Sequence, residues 1–202
     1  MSVRFLAAIL FTSVFSNANA SVIDFEGAGK RGDFSYLSQP IAGFHFNPTV
    51  VAVDVSATGW WGSGPAHSGQ FAAIDNYGST VKLVRDGGGL FTFHSAWVRS
   101  WYAHNFGDVT VSGFRSGIKV GELVSVKDNQ WREVRADFGP IDTLAFYGRD
   151  VNGAYNSTLL DDINVAAVSE PSTMWSFVLG LISALSCASV VQRRRTPRSH
   201  GR

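Results

Sequence analysis

Residues of the types that most often carry catalysis show no catalytic spacing in this sequence. Four of the five histidines precede the C-terminal segment, but none stands at a metal-ligand spacing and no His-Glu-x-x-His motif occurs. No Gly-x-Ser-x-Gly motif marks a nucleophilic serine. The three glycines at 87–89 lack the Lys-Ser/Thr pair of a phosphate-binding loop, so they predict a hairpin turn. The sequence therefore predicts a protein that is not an enzyme.

Aromatic residues indicate a function more clearly. Trp60 and Trp61 lie in the glycine-rich stretch 59–64, which predicts a loop, and Trp101 and Tyr102 form a second group. Flat rings at a protein surface stack on the faces of sugars, while nearby polar groups fix the orientation. We therefore expect these four residues to bind carbohydrate. For Trp60 and Trp61, burial in the protein core remains an equal alternative.

The hydrophobic residues of the body, 21–168, repeat with a period of two, which is typical of β-strands. Short apolar runs such as 50–53 and 144–147 are separated by turn residues, and no stretch has the period of an amphipathic helix. About eight to ten such strands predict an all-β fold, an antiparallel β-sandwich. We expect Trp97 and Trp131 to fill the core of this sandwich.

The charge of the body excludes some partners. The stretch 21–168 carries eleven basic and fifteen acidic side chains, a net charge of −4. A mildly acidic surface disfavours nucleic acid and anionic lipid as partners. The single cysteine, Cys187, lies in the apolar C-terminal segment. The body therefore contains no disulfide and must depend on its core or on a bound ion.

The N-terminus has the three parts of a secretory signal peptide. Residues 1–20 contain one basic residue, Arg4, then the apolar stretch 5–15, and end in Ala18-Asn19-Ala20. Small residues at these last positions are typical of a signal-peptidase site. We expect cleavage before Ser21 and export of the body.

The C-terminus has the pattern of a membrane span. Residues 174–191 form an uncharged apolar run of 18 residues. As a helix this run would be roughly 27 Å long, close to the thickness of a bilayer core of about 30 Å. The arginines at 193–195 and the basic tail 196–202 predict that this end stays in the cytoplasm.

Three features in one order carry a resemblance to a known family. Glu170-Pro171-Ser172-Thr173 precedes the apolar run, and Arg193-Arg194-Arg195 follows it. The stretch 169–195 resembles the PEP-CTERM sorting signal, with Ser169 in place of the family's first proline. The resemblance implies recognition in the inner membrane by an exosortase-type protease or transpeptidase, followed by release to the cell surface or extracellular matrix. A permanent membrane anchor is the alternative.

Short sequence blocks in the body resemble a second family. The blocks are 23–27, 109–114 and 160–165, with 141–146 between the last two. Their order is similar to that of the galactose-binding-like jelly rolls, which are related in shape to many carbohydrate-binding modules. The resemblance implies a jelly-roll topology for the β-sandwich.

The same resemblance suggests a structural calcium ion. The period of two places Asp161, Ile163 and Val165 on one face of the last strand, so that Asp161 points inward. A buried carboxylate is costly unless it is paired or coordinates a metal. Jelly rolls of the carbohydrate-binding type often join their first and last strands through calcium, which implies Glu26 and Asp161 as ligands, with Asp162 facing solvent. The alternative is that Asp161 accepts hydrogen bonds from turn amides.

Three functions remain open at this point. The protein is expected to be exported and to bind or organise exopolysaccharide. It could instead be a structural envelope protein without a sugar site, or a polysaccharide-active enzyme of jelly-roll shape.

Overall fold

Two antiparallel β-sheets make up the part of the chain that this computed structural model describes, residues 20–57, 62–78, 80–102 and 106–168. The strands are β1 Ala20–Ile23, β2 Phe34–Tyr36, β3 Phe44–Phe46, β4 Val50–Asp54, β5 Phe71–Asp75, β6 Thr80–Arg85, β7 Phe91–Ser100, β8 Gly107–Arg115, β9 Ile118–Lys127, β10 Arg132–Arg135, β11 Thr143–Asp150 and β12 Thr158–Ala167. These residues contain no helix, and the all-β prediction is confirmed.

The larger sheet has seven strands in the order β10-β7-β12-β5-β4-β2, with β1 also paired to β12. The smaller sheet has five strands in the order β3-β6-β11-β8-β9. All strand pairs in both sheets are antiparallel. Two such sheets are consistent with the predicted β-sandwich. The finer jelly-roll topology stays a prediction.

A cluster of buried apolar side chains joins the two sheets. Phe93 and Leu160 come from the seven-stranded sheet, and Leu144 and Phe146 from the five-stranded sheet. The rings of Phe93 and Phe146 meet edge to face, with centroids 6.1 Å apart. Full burial of each such side chain stabilises the fold by about 1.5–3 kcal/mol.

The other face of the seven-stranded sheet is also buried. A second apolar cluster there includes Val51, Val53, Ile74 and Leu159. All residues of β4 and β5 are therefore buried, which gives continuous rather than alternating hydrophobicity. The segment 62–70, here called the strap, lies over this cluster and contributes Ala66 to it.

Most of the predicted strands are observed. The runs 50–53 and 144–147 lie in β4 and β11, as predicted. The sequence pattern did not indicate β2, β3 or β5. β2 and β3 have only three residues each, too few to show a period, and β5 lacks alternation because both of its faces are buried.

The predicted face of Asp161 is wrong. Leu160, Ile163 and Val165 belong to the core between the sheets. Asp161 lies on the opposite face, where it contacts the strap. Its side chain is completely buried, but beneath the strap and not in the main core.

A β-bulge in β12 is the physical reason for this difference. Asp161 pairs with Trp97 and Asn164 pairs with Ser95, so three steps along β12 match two steps along β7. The extra residue breaks the period of two. Asp162 has a φ of 43°, in the left-handed region that side-chain-bearing residues seldom adopt. Two successive aspartates therefore reach the same side of the sheet.

Both predicted targeting segments lie outside the described residues. These residues belong to a unit that ends at Val168, and a second unit comprises 169–202. The signal peptide as far as residue 19, the sorting signal 169–195 and the predicted span 174–191 are not among the residues described. Within the described part of the chain, no helix has the length and hydrophobicity to cross a membrane.

A buried lysine fixes the connection between β11 and β12. Lys127, the last residue of β9, is completely buried. Its Nζ donates to the main-chain oxygens of Ser157 at 3.1 Å and Asn156 at 3.4 Å. Burial lowers the pKa of Lys127 to about 8, although the carboxylates of Asp150 and Asp108 partly oppose this shift. The connection is therefore held by a group that titrates near the upper end of the physiological range.

We predict that this lysine makes stability depend on pH. Between pH 8 and 10.5 the unfolded chain keeps the Lys127 proton and the folded protein loses it, so the free energy of unfolding should rise with pH. The rise should be at most about 1.4 kcal/mol per pH unit. Urea denaturation at several pH values should show this rise in the wild type and not in Lys127→Met. The exposed Lys119→Met variant is the control, and parallel curves for wild type and Lys127→Met would contradict the prediction.

Candidate functional site

Only two of the four residues predicted to bind carbohydrate lie in the described part of the chain. Trp60 and Trp61 are outside it. The rings of Trp101 and Tyr102 lie against each other, with centroids 4.6 Å apart and planes 30° apart. Both side chains are half-buried, and Trp101 packs against the second apolar cluster. Sugar binding at Trp60, Trp61, Trp101 and Tyr102 stays a prediction.

The expectation that Trp97 and Trp131 fill the core is wrong. Trp97 is half-buried on the strap side of β7, where its ring stacks on His67 with centroids 3.7 Å apart. Trp131 is half-buried beside the second cluster, and its Nε1 donates to the main-chain oxygen of Pro65 at 2.9 Å. Alternation along β7 sends Val98 into the main core and Trp97 to the opposite face.

A buried arginine fastens the first half of the strap. Arg99 donates from one terminal nitrogen to the main-chain oxygen of Pro65 at 3.1 Å, and from the other to Ser63 Oγ at 2.8 Å. Its guanidinium carbon lies 4.9 Å from the centroid of the Trp131 ring. Burial lowers the pKa of the Arg99 guanidinium. The buried Arg99 side chain thus holds the strap in place.

Two aspartates fasten the middle of the strap. Asp161 Oδ2 accepts hydrogen bonds from the main-chain N–H groups of His67 at 3.0 Å and Ser68 at 3.1 Å. Asp162 Oδ1 accepts from Ser68 Oγ at 2.8 Å, and its Oδ2 lies 2.6 Å from His67 Nδ1. The prediction that Asp162 faces solvent is wrong, since its side chain is 18% exposed and bound to the strap. The bulge brings both carboxylates to these partners.

The electrostatics of this cluster centre on Asp161. Burial raises the pKa of the Asp161 carboxyl to about 7, and the neighbouring Asp162 carboxylate raises it further. The amides of Ser68, Asp162 and His67 oppose this effect by donating to the ionised form. The strap is therefore held by a carboxyl group that titrates near neutral pH.

Glu26 fastens the end of the strap. Its Oε1 accepts hydrogen bonds from the main-chain N–H groups of Gln70 and Phe71, both at 2.8 Å. Gly69 has a φ of 57°, in the left-handed region that favours glycine, and a Cβ there would lie 2.2 Å from the Glu26 carboxyl carbon and displace that side chain. Glu26 and Asp161 thus bind neighbouring parts of one loop.

These contacts bear on the predicted calcium site. The alternative that Asp161 accepts hydrogen bonds from turn amides is confirmed. Among the residues that the structure describes, no three His, Cys, Asp or Glu side chains are grouped so as to hold a metal ion. Calcium at Glu26 and Asp161 stays a prediction.

A groove lies on the outer face of the five-stranded sheet, the face turned away from the core. Its volume is about 200 Å³. Its lining residues are Thr110, Ser112, Phe114, Lys119, Glu122, Tyr147, Arg149 and Tyr155.

Strand register explains the shape of this groove. Tyr147 on β11 lies opposite Thr110 on β8, and Ala145 lies opposite Ser112. The small side chains of Ala145 and Ser112 are buried although they belong to the outer face. Small side chains therefore lie between the larger side chains of Tyr147 and Phe114.

Polar groups border the groove on both sides. Glu122 Oε2 accepts from Lys119 Nζ at 2.6 Å and from Ser112 Oγ at 3.1 Å, and these two donors lower the pKa of Glu122. On the other side, Arg149 forms a main-chain bridge with Tyr155, whose side chain is 63% exposed. The groove therefore combines aromatic surface with hydrogen-bonding groups on rigid strands.

Sequence reasoning did not identify the groove residues. Alternation places Leu144 and Phe146 inward, so it could have placed Tyr147 and Arg149 together on the outer face. It could not have shown that β8 and β9 bring Glu122 beside them, because strand order is absent from the pattern.

Comparisons with known proteins give similarity of fold only. The sequence matches no protein-family model. No curated protein is significantly similar to it.

Solved structures similar to this chain include carbohydrate-binding modules with a β-sandwich fold. A family 29 carbohydrate-binding module is 16% identical, with 75% of this chain and 90% of that chain covered and a TM-score of 0.40. The module TmCBM61, solved with β-1,4-galactotriose, is 15% identical, with 72% and 95% covered and a TM-score of 0.37. The arabinose-bound α-L-arabinofuranosidase MgGH51 is 11% identical over 72% of this chain, with a TM-score of 0.45. This chain spans only 26% of that enzyme's length.

Thermal melts test the calcium prediction. An ion that binds only the folded protein would add about 2.7 kcal/mol of stability at a hundredfold excess over its dissociation constant. Melting temperatures in excess calcium and in chelator should then differ by several degrees, and Asp161→Ala should erase the difference. Equal melting temperatures for the wild type would remove calcium and leave amide capping as the role of Asp161.

Proposed function

We propose that this protein binds polysaccharide in the groove of the five-stranded sheet. The observation that carries the proposal is that Tyr147 and Tyr155 line one groove together with the hydrogen-bonding side chains of Glu122 and Arg149. Tyrosine rings contact the apolar C–H face of a sugar, and polar groups beside them bind its hydroxyls.

The rigidity of the groove supports this proposal. Tyr147 and Arg149 belong to β11, the middle strand of the sheet, which pairs with β6 and β8. Tyr155 lies in the connection whose end is fixed by the Lys127 hydrogen bonds. Side chains held in place lose little conformational entropy when a ligand binds.

The groove is also shallow and open. A volume of about 200 Å³ is below the usual range for pockets that enclose a small molecule, about 300–1,000 Å³. An open groove across a sheet suits a ligand that continues beyond the site in both directions. A polymer has this property, whereas a small metabolite does not.

The proposal includes the location of the protein. The signal peptide at residues 1–20 supports export, and the stretch 169–195 supports sorting by an exosortase-type enzyme in the inner membrane. The body would then act at the cell surface or in the extracellular matrix, where it would bind or organise exopolysaccharide without catalysing its cleavage.

Alanine substitution in the groove tests the binding site. We expect Tyr147→Ala and Tyr155→Ala each to weaken binding to a retained polysaccharide about fivefold, since one aromatic contact is worth roughly 1 kcal/mol. Binding to a panel of immobilised polysaccharides would be measured by affinity electrophoresis. Tyr36→Ala is the matched control, because Tyr36 is also 63% exposed but lies in the other sheet.

Other outcomes of the same assay separate the alternatives. Loss of binding only in the double variant Trp60→Ala/Trp61→Ala would move the site to the loop predicted from the sequence. Absence of binding to every polysaccharide would favour a structural envelope protein. Release of reducing ends from a bound polysaccharide would show an enzyme.

The mature protein tests the sorting proposal. Its intact mass, measured on material from the cell surface, should lack residues 1–20 and the segment after about Pro171. Replacing Glu170-Pro171 by Ala-Ala should trap the protein in the inner membrane. Surface material that still contains residues 174–202 would indicate a permanent anchor.

A further inference from the structure

Three charged side chains line the groove, and two of them form an ion pair with each other. Lys119 and Glu122 neutralise each other, with Nζ and Oε2 2.6 Å apart. Among the described residues, Arg149 has no carboxylate oxygen within ion-pair distance of its guanidinium. Asp108 lies opposite Arg149 on β8 but forms no such pair with it. The lining of the groove therefore carries a net charge of +1, and the Arg149 guanidinium is close enough to the Glu122 carboxylate to help lower its pKa.

Contacts with Tyr155 position this charge at the groove. A main-chain bridge joins Arg149 and Tyr155, and the Arg149 guanidinium carbon lies 5.8 Å from the centroid of the tyrosine ring. A cation over an aromatic face is held in place without losing its capacity to donate hydrogen bonds. The same ring that would contact a sugar thus orients a cation beside it.

The rest of the domain does not favour anions. Residues 21–168 carry a net charge of −4, so long-range electrostatics would repel an acidic polymer. Any preference for an anionic ligand would have to come from the local guanidinium. A preference for anions would therefore indicate a specific contact with the guanidinium and not a general attraction to a basic surface.

We propose that the groove binds an acidic polysaccharide, with an anionic substituent of one sugar on the Arg149 guanidinium. The inference rests on the proposed function and names the ligand class of that site. A guanidinium presents two parallel N–H donors that match a carboxylate, and such charged hydrogen bonds are stronger than neutral ones. A uronic-acid carboxylate and a sulfate ester share this chemistry.

Three polymers and four proteins test the inference by affinity electrophoresis. The polymers are polygalacturonate, its carboxyl-reduced neutral form and dextran sulfate. The wild type should bind at least one anionic polymer about tenfold more tightly than the neutral form, and 500 mM NaCl should reduce this preference. Arg149→Gln should abolish the preference, so that the anionic and neutral polymers bind equally well, and Arg149→Lys should retain part of it. Arg115→Gln is the control, because Arg115 is exposed on the same sheet but outside the groove lining.

Each outcome decides one question. A preference for polygalacturonate or for dextran sulfate that Arg149→Gln removes supports the inference and identifies the anion as carboxylate or sulfate. Equal binding to all three polymers, unchanged in Arg149→Gln, overturns the anionic preference but leaves polysaccharide binding in place. Equal loss of the preference in Arg115→Gln overturns the role of Arg149. No binding to these polymers or to the wider panel means that the proposed function itself fails.

Discussion

The burial of both faces of the seven-stranded sheet is the constraint on which the rest of the structure depends. One face packs on the five-stranded sheet, and the other carries a second apolar cluster that includes Val53, Ile74 and Leu159. Leaving this cluster in water would cost about 25 cal/mol for each Å² of apolar surface. The strap covers it, but a covering loop has main-chain N–H groups that lose water and need acceptors. Glu26 and Asp161 supply those acceptors.

The bulge in β12 helps to supply acceptors for the main-chain N–H groups of the strap. A regular strand would send Asp161 and Asp162 to opposite faces, and one carboxylate would then point into the core. The bulge lets both aspartates reach His67 and Ser68 at the expense of an unfavourable φ at Asp162. Such a backbone conformation is tolerated where the surrounding contacts compensate for its cost. The irregular backbone of β12 thus allows both aspartates to bind the strap.

Buried charges that bind main-chain groups occur elsewhere in the domain as well. Lys127 donates to the connection before β12, as Arg99 donates to the strap. The described part of the chain contains no cysteine, because Cys187 lies beyond it, and these contacts fix the loops without a disulfide. With the strap over the seven-stranded sheet, the open sheet face is the outer face of the five-stranded sheet, and the groove lies there.

The sequence by itself determined the all-β class, because alternation of apolar residues requires only local order along each strand. It also indicated an acidic body without disulfides, and a carboxylate at position 161 that needs a partner. Only the tertiary structure decided that this partner is the amides of the strap and that Trp97 lies under the strap instead of in the core. The same holds for the groove, where Glu122 comes from β9 and Tyr147 and Arg149 come from β11. Strand order and the bulge in β12 fix these positions, and both arise from long-range pairing that a local period of two does not contain.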